Sequence, residues 1–390
     1  MTIAFDRVQD WMFNIALPFW ASVGFDGDDK GFVEHLTLAG VPADVSFKRT
    51  RVQARQIYVY SHAHLLGWEG PALERARAGY EFMTRSGWLP EGGWAARLGR
   101  DGGIVDPTLD FYDQSFMLFA LAWYRRASGD TGVDAWIDRS LTALERLAKT
   151  GGRGYHALLP PPAEAVQNPH MHLLEALLEL FKTTGEERFA SAARDVAELF
   201  TTTFYDAASQ TLAEYYDQDW RRAPGVRGRI VEPGHHFEWA WLLHHCQRLT
   251  GLDVRDAALG LFAFAETHGV DPATGLTFDE VLDDGSVHQG DHRAWPQTEA
   301  LKAHLAMAEF ENKPDLKRIA QITDNILDRY LSVTPAGAWV DHLTADGRPR
   351  VDKVPTSTLY HVFLAFAELL RLRERLEGKD ALEQGGSRSA

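Results

Sequence analysis

Apolar positions along the chain recur at helical spacing, stop at a short break rich in glycine or charge, and then begin again. The stretches "LAWYRRASGDTGVDAW", "LLELFKTTGEERFASA", "LLHHCQRLTGLDVRDA" and "LAMAEFENKPDLKRIA" each read as helix, tight turn, helix. Their breaks fall near Gly129, Gly185, Gly251 and Lys313, with a fainter one near Gly70, which is a period of roughly 60 residues. An N-terminal amphipathic segment, "FDRVQDWMFNIALPFW", can pair with the C-terminal "YHVFLAFAELLRLRERL" and supply a sixth hairpin. The pattern predicts an all-α toroid of about twelve helices laid down as hairpins in series. An open solenoid is the alternative. Against it, the connections are long and rich in Trp and Gly, with strand-like pieces such as "GGWAARLG" and "GLTFDEVLDDGSV", which suits rim loops carrying short β-hairpins over a closed interior.

Unusual polar segments interrupt the apolar pattern at one phase, just before the first helix of each hairpin. They are "TRVQARQIYVYSHAH" around Arg55, "LDFYDQSFMLFA" around Tyr112, "VQNPHMHLLEALLEL" around Asn168 and His172, "EPGHHFEWAW" around His235, "HRAWPQTEALKAH" around Trp295 and "PTSTLYHVFLAF" around His361. One such segment is an ordinary polar helix start. Six at the same phase converge on one rim, and three of them centre on histidine, which suits a site better than six unrelated caps.

Composition narrows what that site can do. A formal net charge of −15 leaves no basic stripe to exchange for phosphate counterions, so nucleic acid is not an expected partner. The one cysteine, Cys246, has no partner for a disulfide, as in a reducing compartment. No apolar run is long enough to span a bilayer, and the start "MTIAFDRVQDWMF" is charged where a signal peptide is apolar, so a cytoplasmic protein is expected. Residues 1–380 read as one catalytic domain and 381–390, "ALEQGGSRSA", as a disordered tail.

The motifs "ARQIYVYS", "YDQSF", "QNPHMHLLEA", "PGHHFEWAWLL", "WPQTEA" and "YHVFLAF" resemble the series found in the N-acylglucosamine 2-epimerase superfamily, most closely its aldose–ketose isomerase branch. The resemblance spans nearly the whole chain. It implies an (α/α)6 barrel and cofactor-free, metal-independent isomerisation or epimerisation of a sugar at C2. It also implies His235 and His361 as the acid–base pair, with Arg55, Tyr112, Asn168, His172, Glu238 and Trp295 binding the sugar. The roles of His236, Arg227 and Arg229 stay open, and Glu299 is either at the site or in the packed interior.

These residue types fit the chemistry. Removing a proton from carbon beside a carbonyl needs a base with a pKa near neutrality and a second group that donates to oxygen, which a pair of imidazoles can supply. Arg55, Asn168 and His172 can hold the oxygens of an enediolate, Trp295 and Tyr112 offer flat faces to a sugar, and Glu238, one turn after His235, can orient that imidazole or bind a hydroxyl. His62/His64 and His170/His172 are spaced i, i+2, which on a helix points the rings apart, and no H-E-x-x-H pattern occurs, so no metal is expected.

The leading reading is an isomerase of a free neutral aldose, D-mannose to D-fructose, with a monosaccharide as its only expected partner and a monomeric or homodimeric state. A 2-epimerase on the same residues is the nearest rival. A glycoside hydrolase, which would use carboxylates among Asp106, Asp110 and Asp113, and a non-catalytic sugar-binding protein are further alternatives. A phosphorylated sugar is disfavoured because no glycine-rich phosphate loop is present.

Overall fold

Short strands lead into the helices that line the middle of the molecule, and this arrangement sets where every polar segment ends up. The computed structural model describes residues 2–27, 30–149 and 153–378. The predicted disordered tail lies outside the described residues. The helices are α1 (Phe5–Asp10), α2 (Leu17–Val23), α3 (Thr50–Leu65), α4 (Ala72–Ser86), α5 (Phe111–Ser128), α6 (Val133–Leu144), α7 (Asn168–Thr184), α8 (Glu187–Leu199), α9 (Pro233–Thr250), α10 (Arg255–His268), α11 (Ala294–Phe310), α12 (Leu316–Asn325), α13 (Thr358–Arg371) and the short α14 (Arg373–Leu376). A π-helical segment, Trp11–Ala16, joins α1 and α2 into one continuous run.

The odd-numbered helices from α3 to α13 form a closed inner ring in which each packs on the next and α13 returns to α3. Having neighbours on all sides, these helices are buried nearly all round; every residue of α9 from Pro233 to Cys246 is buried. The outer helices bury one stripe only. In α8 it consists of Phe189, Ala190, Ala193, Val196 and Ala197, the i, i+3, i+4 pattern of a helix lying on a core. The N-terminal run closes the outer layer on α13, with Trp11 edge-on to Phe366 at 5.8 Å between ring centroids, the pairing the sequence predicted. A single cluster of buried apolar side chains extends from Ile3 to Leu376. The architecture is the (α/α)6 barrel, as expected from the hairpin repeat.

Helix ends follow from local chemistry. Pro169 and Pro233 stand in the first turns of α7 and α9, where the missing N–H leaves no helix bond unmade. Gly129, Gly185 and Gly251 terminate α5, α7 and α9 in the left-handed region (φ 70°, 72° and 74°), each returning its N–H to the carbonyl four residues back. At the fourth break Asn312 takes the positive φ (52°), and at the faint first one Gly67, not Gly70, does so (φ 80°).

The rim strands are short and antiparallel. Phe47–Arg49, Ala95–Gly99, Ile104–Asp110 and Leu158–Leu159 make a four-stranded sheet that feeds α3 and α5. Ile230–Val231, Glu280–Leu282 and Val287–Gln289 make a three-stranded one beside the start of α9, and His292–Arg293 pairs with His342–Leu343 at the start of α11. "GGWAARLG" and "GLTFDEVLDDGSV" thus both contribute rim strands. This scaffold holds the inner-helix N-termini at one end of the barrel.

Gly185 has no atom within 4 Å of where a Cβ would stand, so replacing it tests backbone strain alone. Gly185→Ala is expected to destabilise the protein by about 1 kcal/mol in denaturant unfolding, and Gly185→Asn by clearly less. Equal stability of all three proteins would contradict the left-handed cap.

Candidate active site

All eight residues singled out in the sequence join one connected set of contacts at the strand-bearing end of the barrel. His235, at the start of α9, lies against Trp295 of α11 at 4.9 Å between rings, and the same indole is 5.8 Å from His361 of α13. This close approach depends on Gly234, because a Cβ there would fall 2.6 Å from the Trp295 ring. Arg55 of α3 donates to the Tyr112 hydroxyl at 2.8 Å and covers the rings of Phe116 and Tyr360 at 4.3 and 5.0 Å. Tyr112 meets His172 edge-on at 4.8 Å, and His172 Nδ1 is 3.9 Å from Glu238.

The two histidines at the centre have opposite surroundings. Burial works against a charge on His235, but Glu214 and Glu232 outweigh it and raise its pKa to about 9. Nδ1 donates to Glu214 Oε2 at 2.9 Å, while Nε2 lies 3.2 Å from the Asn168 side-chain amide. The amide orientation that satisfies both groups sets Asn168 Oδ1, otherwise buried without a partner, against the imidazolium Nε2–H. His361 also gives Nδ1–H to a carboxylate, Glu299 at 2.8 Å, which leaves Nε2 as the free lone pair. Burial and the cations around it, Arg55 and Lys302 first, nevertheless hold its pKa well below the ordinary value, so this ring is neutral.

Beneath these rings lies a polar floor that sequence reasoning largely missed. Lys302, fully buried, pairs with Glu299 at 2.6 Å and stands 4.0 Å from Glu238 and 4.1 Å from the centre of the Trp241 ring. Tyr360 donates to Glu175 at 2.6 Å, and His172 shares that carboxylate at 3.2 Å. Burial, with Glu299 and Glu175 nearby, raises the Glu238 carboxyl well above the usual range, and its Oε1 has no hydrogen-bond partner. Burial pulls His172 down to about 4 in spite of Glu175. The visible signal for these residues was charge inside an apolar helical run, Glu175 in "HLLEALLEL" and Lys302 in "QTEALKAHL". Glu214 sits in a rim loop and carried no such signal. It supplies the carboxylate on His235 Nδ1, a place that the sequence reading offered to Glu238.

Other candidates point elsewhere. His236 turns to the outer wall, its ring 5.4 Å from Phe264 and its Nε2 accepting from Leu212 N at 3.4 Å. Arg227 is held by Glu164 and Arg229 by Asp283 and Asp284, all in rim loops. Asp110 and Asp113, the carboxylates a glycosidase would use, both bind Arg51, and Asp106 bonds Thr108 N at 3.1 Å. His170 and His172 diverge as their spacing predicts, His170 accepting from Tyr155 N outside the site. Among the described residues, His172/Glu175/Glu238 and Glu214/Glu232/His235 each bring three potential ligand atoms within 4.8 Å of one another. Resident donors already engage members of both sets: Tyr360 donates to Glu175 in the first, and in the second the protonated ring of His235 donates to Glu214 and Arg293 to Glu232.

The N-acylglucosamine 2-epimerase (GlcNAc 2-epimerase) family profile matches residues 31–365. The chain belongs to this family. It is 36% identical over 371 residues to the mannose-6-phosphate isomerase of Rhizobium meliloti (strain 1021), covering 93% of this chain and 96% of that protein. It is 26% identical over 310 residues to the D-mannose isomerase of Thermobifida fusca, covering 73% and 74%. The solved structure of cellobiose 2-epimerase from Bacillus thermoamylovorans B4167 superposes with a TM-score of 0.84 at 20% identity over 94% of this chain and 98% of that one, a likeness of fold. As a member of the N-acylglucosamine 2-epimerase family with isomerase and epimerase relatives, the protein is an enzyme, a sugar isomerase. Among the described residues no helix is long and apolar enough to cross a membrane.

The raised pKa of His235 contributes stability that is fully present below about pH 6.5 and is lost as pH rises through about 9. Glu214→Gln should lower the His235 titration, followed by NMR of its ring, from about 9 toward the ordinary value near 6.5. An unmoved titration would show that Glu214 does not set it.

Proposed function

We propose that the protein interconverts a free aldose and its ketose, D-mannose and D-fructose, with His361 as the carbon base and His235 as the oxygen acid, in one catalytic domain and without metal or cofactor. The observation that carries this reading is the pair of imidazoles packed against Trp295, one neutral with a free Nε2 and one protonated. Proton transfer between carbons needs that combination at neutral pH. In ring opening His235 donates to the ring oxygen and recovers the proton of the O1 hydroxyl, so it remains an imidazolium. His361 Nε2 then takes the C2 proton while His235 protonates O1, giving an enediol. His235 then removes the O2 hydroxyl proton as His361 returns its proton to C1, and both rings regain their starting states.

The remaining side chains suit the sugar. Trp295 offers a face for its C–H surface, and Arg55, Asn168, His172 and Tyr112 offer polar atoms to its oxygens. Glu238, with a raised carboxyl and an unpartnered Oε1, suits a hydroxyl. The cytoplasm, a reducing setting, fits the lone buried Cys246.

A neutral substrate is favoured over a phosphorylated one, although one relative bears the name mannose-6-phosphate isomerase. The two outer arginines are each spoken for: Arg51 by Asp110 and Asp113, Arg293 by Glu232 and Asp279. A phosphate dianion beside them would also meet four carboxylates. Arg55, which among the described residues has no acid partner, lies inside the aromatic lining and suits a hydroxyl or enediolate oxygen.

In buffer containing EDTA, His235→Asn and His361→Asn should each lower kcat by at least ~100-fold with the fold retained. In the parent enzyme kcat/KM should fall as pH rises through about 9, where His235 loses its proton. Near-full turnover by both variants would overturn the assignment. In D2O the label should enter C1 of the ketose to the extent that the proton held on His361 exchanges, the rest of the C2 proton being retained, whereas a C2-labelled aldose as main product would identify an epimerase. Mannose should be turned over with a higher kcat/KM than mannose 6-phosphate, and the reverse order would show that the arginine pairs open for phosphate.

A further inference from the structure

The inner helices enclose a cavity at the end of the barrel opposite the candidate site. It has a volume of about 210 Å³ and is lined by residues two to four turns along α3, α5, α7, α9 and α13. Its wall contains two indoles, Trp123 and Trp241, two imidazoles, His62 and His245, and the carboxylates Glu179 and Glu368. Exposed or half-exposed arginines, Arg126, Arg248 and Arg371, stand around it, so it is reached from the far mouth of the barrel.

Four polar atoms in this wall are buried with no hydrogen-bond partner: Trp123 Nε1, Trp241 Nε1, His245 Nε2 and Glu179 Oε2. The residues that carry them are at most 9% exposed. Two are obligate donors, one is an obligate acceptor when ionised, and the imidazole nitrogen serves as either. Buried polar groups are seldom left unmatched, and so mixed a set, beside aromatic rings, matches hydroxyl groups, each of which both donates and accepts.

The charges argue against an ion. Lys182 is paired with Glu179 at 2.5 Å, Arg371 with Glu309 and Glu368, and Arg248 with Glu309 at 3.0 Å, while Arg126 covers the ring of Trp123. The C-terminal ends of the inner helices also point this way, and their partial negative charge is what such cations offset. A metal at His245, Glu309 and Glu368, whose ligand atoms lie within 4.8 Å of one another, would have to displace Arg371 from both carboxylates.

We propose that this far-end cavity is a second binding site, for a small uncharged polyol of monosaccharide size or smaller. The cavity volume is that of about seven molecules of liquid water. Glu175 borders the cavity, and its carboxylate also binds Tyr360 and His172 beneath the candidate active site, so a polyol seated here touches the same buried network from behind. The inference does not depend on which sugar the enzyme converts.

The test uses the full chain labelled with ¹⁵N, in which each indole N–H gives its own NMR signal. Trp123, Trp241 and Trp295 are assigned by single Trp→Phe variants. Titration with sorbitol, and separately with glycerol and with D-fructose, should shift the Trp123 and Trp241 signals in a saturable manner. Glu179→Gln should weaken that response at least 10-fold and leave the Trp295 response, which reports the candidate active site, in place. Its folding is checked by an otherwise unchanged indole spectrum, and Trp123→Phe, which removes one donor with little change of volume, should weaken the Trp241 response in the same way. A response to fructose alone would identify a sugar site, and a response to all three a general polyol site; either supports the proposal. Signals from Trp123 and Trp241 that stay still at saturating polyol mean that only water fills the cavity. Shifts that merely follow Trp295 and ignore both variants mean that they are relayed from the other end. Either result overturns the proposal.

Discussion

One buried ammonium group, that of Lys302, makes the centre of this barrel possible. Glu175, Glu238 and Glu299 are all buried on the inner helices. Burial pushes Glu238 and Glu299 up, repulsion from the other two adding to it at Glu238, while burial of Glu175 is outweighed by His172, Lys302 and Tyr360. Lys302 pairs with one of them, approaches a second, and lies over the Trp241 ring, so its own desolvation is offset from three sides. Removing one partner of a buried pair generally costs roughly 3–5 kcal/mol, because the other charge is left uncompensated. Glu299 in turn holds His361, and Glu175 holds His172 and Tyr360, so the ring positions above the floor depend on this balance.

The same balance separates the two central histidines. Both are buried and both give Nδ1 to a carboxylate, yet they titrate in opposite directions. His235 stands at the rim among Glu214 and Glu232, where net negative charge favours the imidazolium. His361 is buried over Lys302 and Arg55, and burial first, then those cations, disfavours its charged form. A proton donor and a proton acceptor of the same chemical type are thus made by position, both in contact with Trp295.

The strands at the rim, small as they are, have a mechanical part in this. Arg49, Asp110 and Arg293, the residues just ahead of α3, α5 and α11, end strands paired to neighbouring rim segments. Their side chains then bind acids and bases around the opening: Arg49 to Glu34, Asp110 to Arg51, Arg293 to Glu232. The opening is therefore framed by paired charges held on strand ends.

Helical periodicity and the glycines that stop it were enough to reveal six hairpins, because helix propagation and left-handed caps are local properties of the backbone. The phase of the polar segments was likewise legible: residues that open successive inner helices must share one end of a ring. Motif resemblance then singled out eight side chains, all of which the barrel gathers at that end. Their electrostatic partners were not legible. Glu214 lies 21 residues before His235 and faces it only because two rim segments fold over α9, while Glu299 and Lys302 reach His361 from another helix altogether. His236 shows the same limit in reverse, since one residue's step around a helix turns it from the site to the outer wall. Burial, net local charge and the direction of each lone pair arise from contacts between distant segments, so the tertiary structure alone decided which imidazole carries the proton and which one is free to take it.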